Sequence, residues 1–374
     1  MGRGLCPRGK GVNRAVPDVP ARTRAVCSGV DAVPGGAFCP GRSLIGRTDA
    51  LRLLERPAHG LHTLRQQRMT GATRVAFLTL EDRSDYVIDD DLAIAELGRR
   101  GMHAHEVPWA RPTDWRIWDG VVVRSTWDYQ HEPQRFLAVL AAIGKAGARL
   151  ANPLDIIRWN VHKSYLVDLE AHGVPVVPTR WGRGLTGREL VELVDSECVL
   201  KPVIGANAGD TFRLAPGVAL AEADRIAELY VDREWMLQPF VQSVVAEGEH
   251  SLFYFGGRFS HSILKTPAPG DFRVQEDHGG TITALDSAGP LRQAADAVLV
   301  GLGLCGFDVP VQARVDLVRM PDGSFALLEL ELIEPSLYLR MDPKAPANFA
   351  DAVERWLRPQ RGAARTGPQS RARG

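Results

Sequence analysis

The sequence predicts an α/β protein that turns α+β in its second half, preceded by a disordered N-terminal extension. Three observations carry this. Between residues 74 and 150, apolar strand-like runs alternate with amphipathic helical stretches, the pattern of a parallel sheet with crossover helices. From 249 onward the strands come as hairpins, one pair around Gly256-Gly257 and one around Asp322-Gly323. Residues 1–69 show neither period and are rich in Gly, Pro and Arg.

Residues 1–69 are therefore expected to be a disordered basic extension or a start-site artefact, because Met69 directly precedes the first convincing element. A folded targeting or DNA-binding arm is the alternative, and a chain begun at Met69 would separate them by its activity. A strand is predicted at 74–80. Asp89-Asp90-Asp91 is placed to cap a helix running to Gly101, with acids in the first turn where the helix dipole favours them. A second strand at 120–124 ends in Ser125-Thr126-Trp127-Asp128-Tyr129. The next helix has Pro133 near its first turn and Phe136, Val139, Leu140 and Ile143 on one face. In parallel sheets ligands bind near the carboxyl ends of strands, which makes Arg124 and Asp128 substrate-site candidates. An internal Arg–Asp pair ordering the loop is the equal alternative.

Asn152-Pro153 opens a new segment, whose helix is expected from about Val161 to Gly173 and contains Lys163. After a helix at 187–195, the strand 198–202 carries Lys201 near its end and leads into a small-residue loop with Gly205, Ala206, Asn207 and Thr211. A lysine beside such a loop suits phosphate, since the loop offers backbone N–H groups and the lysine a point charge. It is not a Walker A sequence. A strand at 235–238 reaches Pro239-Phe240, and the hairpin 249–265 leaves Lys265 at its far end. The loop 267–280, with Arg273, His278, Gly279 and Gly280, is long enough to be a lid or substrate loop. The GxGxxG string at 301–306 ends a helical pattern and leads into a hairpin. A dinucleotide fingerprint must instead follow a strand and open a helix, so these are read as helix-terminating glycines. The expected lobes are 70–150, 151–240 and 241–358, with a disordered tail at 359–374.

The last hairpin is the most informative stretch. With Asp322-Gly323 as a two-residue turn, Asp316 faces Glu329 and Arg314 faces Glu331, all on one side of the ribbon. Val315, Leu317, Leu328, Leu330 and Leu332 then cover the other side. Facing carboxylates repel unless a cation sits between them, and a divalent ion with oxygen ligands fits. A solvated salt-bridge face is the alternative, and a turn one residue longer would move the register.

The net charge of zero over 374 residues hides an asymmetry. Residues 1–69 carry +8 and 359–374 carry +4, so the body from 70 to 358 carries −12. An acidic body argues against nucleic acid as the main partner. Five scattered cysteines without a CxxC suggest neither a disulfide framework nor a zinc site. No apolar run reaches membrane-span length and no signal-peptide core opens the chain, so a cytoplasmic protein without a membrane partner is expected. Oligomeric state is left open, a homo-oligomer included.

Lys163, Lys201-Pro202 with its small-residue loop, Gly248-Glu249, Lys265, and an Arg-x-Asp thirteen residues before Glu-x-Glu form an ordered set. This set resembles the ATP-grasp superfamily of glutathione synthetase- and RimK-like ligases over roughly 151–340, with a pre-grasp lobe at 70–150. Several phrases are closer still to the cyclo-ligases of cycloserine biosynthesis, which close O-ureido-serine. They are Arg124-Ser125-Thr126-Trp127-Asp128-Tyr129, Arg158-Trp159-Asn160, Ser260-His261 with Lys265, and Leu328-Glu329-Leu330-Glu331 with Glu334-Pro335-Ser336. The resemblance implies an ATP-grasp fold and a ligase that makes an acylphosphate from ATP and a small amino-acid-like carboxylate, then joins it to nitrogen. It implies ATP phosphates on Lys163, Lys201 and the loop 205–211, adenine near Gln238, Pro239 and Phe240, and ribose on Glu249. It further implies Lys265 and Arg314 as catalytic groups at the transferred phosphoryl, and two Mg2+ ions (or Mn2+) on Asp316, Glu329 and Glu331. Arg124, Asp128, Arg273, Gly279, Gly280 and Ser336 are the substrate candidates. Two departures stand out: Glu331 replaces the commoner Asn ligand, and Gln238-Pro239 replaces an acidic residue at the adenine. Ligation of amino acids to a peptide or protein end, and a silent ATP-binding module, are the alternatives.

Overall fold

The computed structural model describes residues 72–358, so the expectations for 1–69 and for the tail from 359 lie outside the described residues. Four parallel strands open it: β1 (Thr73–Thr79), β2 (Met102–Pro108), β3 (Gly120–Ser125) and β4 (Arg149–Leu150), in the order β2-β1-β3-β4. The sequence pattern hides β2, because Met102 and Ala104 alternate with polar histidines and Glu106 then breaks the period before Val107. Helices α1 (Asp90–Arg99) and α2 (Pro133–Lys145) cross between strands, α2 burying Phe136, Leu140 and Ile143. Asp89 takes the N-cap position of α1 and Asp90 and Asp91 its first turn, as expected, but the Asp89 side chain makes no capping bond. The Asp89 carboxylate accepts the backbone N–H of Arg340 at 3.0 Å, and Asp90 is taken by Arg124.

Where the pattern suggests one helix around Lys163, the chain forms two: α3 (Leu154–Asn160) and α4 (Tyr165–Ala171). The Lys163 N–H leaves the helical ladder and donates to Val203 O at 3.0 Å, which puts Lys163 on the turn between them. A second, antiparallel sheet follows in the order β5-β8-β6-β7, from β5 (Arg180–Arg183), β6 (Cys198–Pro202), β7 (Phe212–Leu214) and β8 (Glu234–Pro239). Helices α5 (Gly187–Leu193) and α6 (Leu220–Glu228) give it its own apolar cluster around Leu190, Leu200, Ile226 and Tyr230.

After the single turn α7 (Ser243–Ala246), the third sheet is antiparallel in the order β11-β10-β9-β12-β13. Its strands are β9 (Glu249–Phe255), β10 (Arg258–Thr266), β11 (Thr281–Leu285), β12 (Gln312–Arg319) and β13 (Phe325–Glu331), with α8 (Gly289–Leu304) before β12 and α9 (Ala345–Leu357) at the end. Gly301 and Gly303 lie inside α8, and Gly306 just beyond it is left-handed at φ +90°. One apolar core joins the parallel sheet and α2 to this third sheet through Val123, Phe136, Leu252, Val315 and Leu330. A second, between α1 and α9, joins Phe77, Leu97, Phe253 and Phe349.

The β12–β13 hairpin reaches the expected facing pairs by an unexpected route. Its loop has three residues, Pro321-Asp322-Gly323, closed by Met320 N–H to Ser324 O at 2.8 Å, with Gly323 at φ +85°. That shifts the register by one, so Leu317 faces Leu327. A bulge between Asp316 and Leu317 shifts it back, and Asp316 faces Glu329 and Arg314 faces Glu331. The bulge removes Leu328 from the core face to the wall of a cleft.

The outer edge of β13 meets no further strand, yet its polar groups are satisfied one by one. Leu327 bonds to Pro175 O and to the Val177 N–H, and Leu330 N–H donates to Tyr165 Oη at 2.9 Å. Asn160 Nδ2 donates to Leu330 O at 2.8 Å while its Oδ1 accepts from Leu332 N–H at 2.9 Å. Asn152 donates to Leu332 O and to Gln312 O, both at 2.7 Å, from a left-handed backbone at φ 54°. An open edge is thereby closed, by backbone at Leu327 and by side chains beyond it.

Candidate active site

Strand register places charged groups on one cleft. Glu249 and Lys265 are direct partners on β9 and β10, and their side chains form an ion pair. On β12, the Arg314 fork grips Asp316 through Nε–Oδ1 at 3.0 Å and Nη2–Oδ2 at 2.9 Å, and also pairs with Glu331. Asp316 accepts from Ser251 Oγ at 2.5 Å and from Lys265 Nζ at 3.5 Å. Lys163 reaches Glu329 from its turn.

This electrostatic setting separates groups of one kind. Burial opposes the charge on Asp316, but Arg314 and Lys265 outweigh it and hold the carboxyl at about 2. Glu331 is driven up to about 7 by burial, with Arg314 opposing and its acidic neighbours adding. Burial lowers Lys201 to about 8, the most weakly compensated of the cleft's lysines. Among the described residues, no three His, Cys, Asp or Glu side chains converge closely enough to form a ready metal cage. The donor set nevertheless fits a hard divalent cation, since Asp316, Glu329 and Glu331 offer carboxylate oxygens from one hairpin face. Lys163, Lys265 and Arg314 now neutralise those oxygens, so taking up a cation requires these side chains to yield.

The loop between β6 and β7 holds Asn207, Ala208 and Asp210 at φ 51°, 52° and 51°, three non-glycine residues in left-handed backbone. Such strain is retained only where surroundings impose it. Ala206 N–H donates to the Gln130 side chain, Tyr230 O–H to Asp210 O, and Arg233 pairs with Asp210 at 2.6 Å. From the opposite loop, His278 Nε2 lies 3.3 Å from Asn207 O, so the two long loops touch across the cleft.

The cleft is lined by Lys163, Lys201, Gly205, Ala206, Asn207, Thr211, Gln238, Pro239, Phe240, Glu249, Lys265, Arg314, Asp316, Glu329, Glu331 and Ser336. Five substrate candidates stand apart from its wall. Arg124 is 2 % exposed and fully engaged: Nε and Nη2 donate to Asp90 at 3.0 and 2.8 Å, Nη1 to Gln312 Oε1 and Pro335 O. Its acid partner is Asp90 and not Asp128, which accepts from Trp109 Nε1 at 2.7 Å. Arg273 is held by Asp271 at 2.7 Å. Gly279 and Gly280 close the turn at 276–278, Gly280 N–H donating to Gln275 O at 3.0 Å. In each case the sequence neighbours face the cleft instead: Trp127 and Tyr129, Phe272 and Val274, and Gln275 to Asp277.

Residues 75–152 match the family described as D-cycloserine synthetase DcsG, N-terminal domain. The cycloserine biosynthesis protein DcsG of Streptomyces lavendulae is 34% identical over 282 residues, 69% of this chain and 90% of that protein. The chain belongs to the DcsG family of ATP-grasp ligases. The crystal structure of D-cycloserine synthetase DcsG superposes with a TM-score of 0.68 at 32% identity, covering 76% of this chain and 99% of that one. A D-alanine–D-alanine ligase from Bacillus anthracis shares the fold, with a TM-score of 0.55 at 14% identity, covering 76% of this chain and 99% of the other. The protein is thus an ATP-dependent ligase forming amide or other carbon–nitrogen bonds.

In this ATP-grasp ligase the strap that follows β13, where the sequence marks Glu334-Pro335-Ser336 as a motif and Ser336 as a substrate candidate, is fixed through its backbone. Four successive carbonyls there are held by side chains from elsewhere: Ile333 O by Gln312, Glu334 O by Trp127, Pro335 O by Arg124 and Ser336 O by Arg314. The sequence signal was present in Arg124 and Trp127, but a backbone acceptor leaves no mark of its own in a sequence.

Proposed function

We propose that this ligase transfers the γ-phosphoryl group of ATP to the carboxylate of a small amino-acid-like substrate, and that a nitrogen nucleophile then displaces phosphate. The carboxylate oxygen attacks phosphorus as the bond to ADP breaks. The nitrogen next attacks the acyl carbon, phosphate leaves with the carbon–oxygen pair, and the nitrogen gives up a proton. Intramolecular attack, giving a cycloserine-type ring from an O-ureido-serine-type substrate, is the version we favour. The similarity to DcsG supports it. The observation that carries the reading is that the nucleotide and phosphoryl candidates line one cleft with the carboxylates of β12 and β13.

In this reading Lys163, Lys201 and the strained loop hold the phosphates. Gln238, Pro239 and Phe240 receive the adenine against the apolar wall of Val241 and Leu328, and Glu249 takes the ribose hydroxyls. Asp316, Glu329 and Glu331 would hold two Mg2+ ions, with Mn2+ as a substitute; bound there, the metal neutralises triphosphate charge. Lys265 and Arg314 then balance the charge spread over the transferred phosphoryl group, since such transfer needs positioning and neutralisation more than covalent help. Contact between the loops at 203–211 and 267–280 would keep water from the acylphosphate. We place the lobe boundaries near 150 and 240 and the enzyme in the cytoplasm. Among the described residues, no helix is long and apolar enough to cross a membrane.

The test is ADP and phosphate release from MgATP by wild type and Glu329→Gln across small carboxylates, O-ureido-D-serine among them, and short peptides. Release with a small substrate, lost in the variant, is the expected result. Release with peptides alone would replace the small-molecule reading by peptide ligation. ATP binding without release on any substrate would leave a binding module.

A further inference from the structure

Glu334 is buried at 8 % exposure, lines the cleft, and forms no ion pair among the described residues. The carboxyl partners the Tyr129 hydroxyl, and Glu331 and Glu329 add to the negative field around it. Burial drives the group up to about 8, with Glu331 adding to the shift. Lys163 offsets this field only in part, so the buried carboxyl favours its neutral form in the empty protein, and a cation bound beside it would restore the charge. The Glu334 backbone is pinned at this place in the cleft. Its backbone carbonyl accepts from Trp127 Nε1 at 2.9 Å, and the next carbonyl is gripped by Arg124. The same strap runs two residues further to Ser336 O, which accepts from Arg314 Nη1 at 3.4 Å. An acid on a pinned backbone and the Arg314 fork therefore stand at two ends of a three-residue strap, both lining the cleft. An α-amino acid has that complementary pair of charges, a carboxylate for the arginine and an ammonium for the acid.

We propose that Glu334, supported by Tyr129, is the specificity residue that binds the ammonium group of the substrate. This rests on the small-substrate reading above and assigns it an orientation: carboxylate toward Arg314 and Lys265, ammonium toward Glu334 beside Trp127 and Tyr129. Glu334 thus selects amino acids over simple carboxylic acids.

The experiment compares wild type with Glu334→Gln, which keeps the acceptor for Tyr129 and removes the charge. Substrates are O-ureido-D-serine and its analogue lacking the amino group, 3-(ureidooxy)propanoate, with KM for ATP and the Mg2+ dependence measured alongside. For the amino substrate, KM should rise at least tenfold in the variant, with KM for ATP and the Mg2+ requirement within twofold of wild type. For the desamino analogue the two proteins should be equally poor. Equal losses on both substrates, or a changed Mg2+ requirement, would overturn the ammonium site in favour of a metal or packing role. The melting temperature of the variant should equal or exceed that of wild type, and a fall would also argue for packing. If wild type turns over neither compound, the ureido-serine reading fails by itself. The ammonium site is then read from melting shifts with D-serine against 3-hydroxypropanoate, where a D-serine shift equal in both proteins, or absent in wild type, overturns it.

Discussion

At the scale of single residues, the cleft divides its charges by environment. Lys201 keeps its ammonium only below about 8, because burial lowers it and neighbouring acids compensate weakly. A depressed lysine binds phosphate while protonated and loses that affinity as pH rises through its free-enzyme value. Without substrate carboxylate, MgATP affinity is expected to fall above pH 8 by about tenfold per unit at most, and Lys201→Arg should move the fall well upward. A titration of ATP binding at pH 7, 8 and 9 reads this directly. Arg314 spans Asp316 and Glu331 with its fork, so its removal should affect turnover more than binding. For Arg314→Ala, kcat is expected to drop by roughly 100- to 1000-fold while the Kd for ATP moves far less; the reverse split would deny it a role at the phosphoryl group. These side chains were legible because charge at alternating positions of a hairpin has few explanations. The place of Glu334 was not, since its burial beside Tyr129 without an ion pair exists only in three dimensions.

At the scale of elements, the hairpin shows how a correct conclusion can follow from compensating departures. Pro321-Asp322-Gly323 makes the loop one residue longer than the two-residue turn that Asp-Gly suggests, and the bulge restores the pairing. Leu327 and Leu328 exchange sides: Leu327 enters the core opposite Leu317, and Leu328 becomes part of the cleft wall. Leu328→Ala is therefore expected to weaken ATP binding by about 1 kcal/mol, close to fivefold, with little change in unfolding free energy. A large loss of stability with unchanged ATP affinity would return Leu328 to the core. The split of one expected helix into α3 and α4 has a similar cause. Helical periodicity continues through Lys163, but Val203 O captures its N–H, a partner forty residues away that no local pattern records. Strand β2 was hidden because histidines and a glutamate occupy positions that a half-buried strand can tolerate.

At the scale of the whole molecule, Arg124 ties three regions together: Asp90 on α1, Gln312 at the start of β12 and Pro335 on the strap. Both members of its ion pair are 2 % exposed, so Arg124→Ala leaves a desolvated acid and should cost about 3–5 kcal/mol of stability. Denaturant unfolding measures it, and Asp90→Leu combined with Arg124→Met should recover much of the loss; a wild-type midpoint for Arg124→Ala would refute this linking role. The alternation of strands and helices made the parallel sheet readable, and glycine-marked turns did the same for the hairpins. The joining of the two sheets was not readable, because it depends on contacts such as Arg124 to Pro335 across some two hundred positions. The side-chain seal along β13 bears on how the chain is made. Residues 327–333 are a hydrophobic, strand-prone stretch whose exposed edge would recruit other nascent chains. Asn152, Asn160 and Tyr165 precede it, so they have already left the ribosome when that edge emerges, and the protein carries its own protection against aggregation in the order of its synthesis.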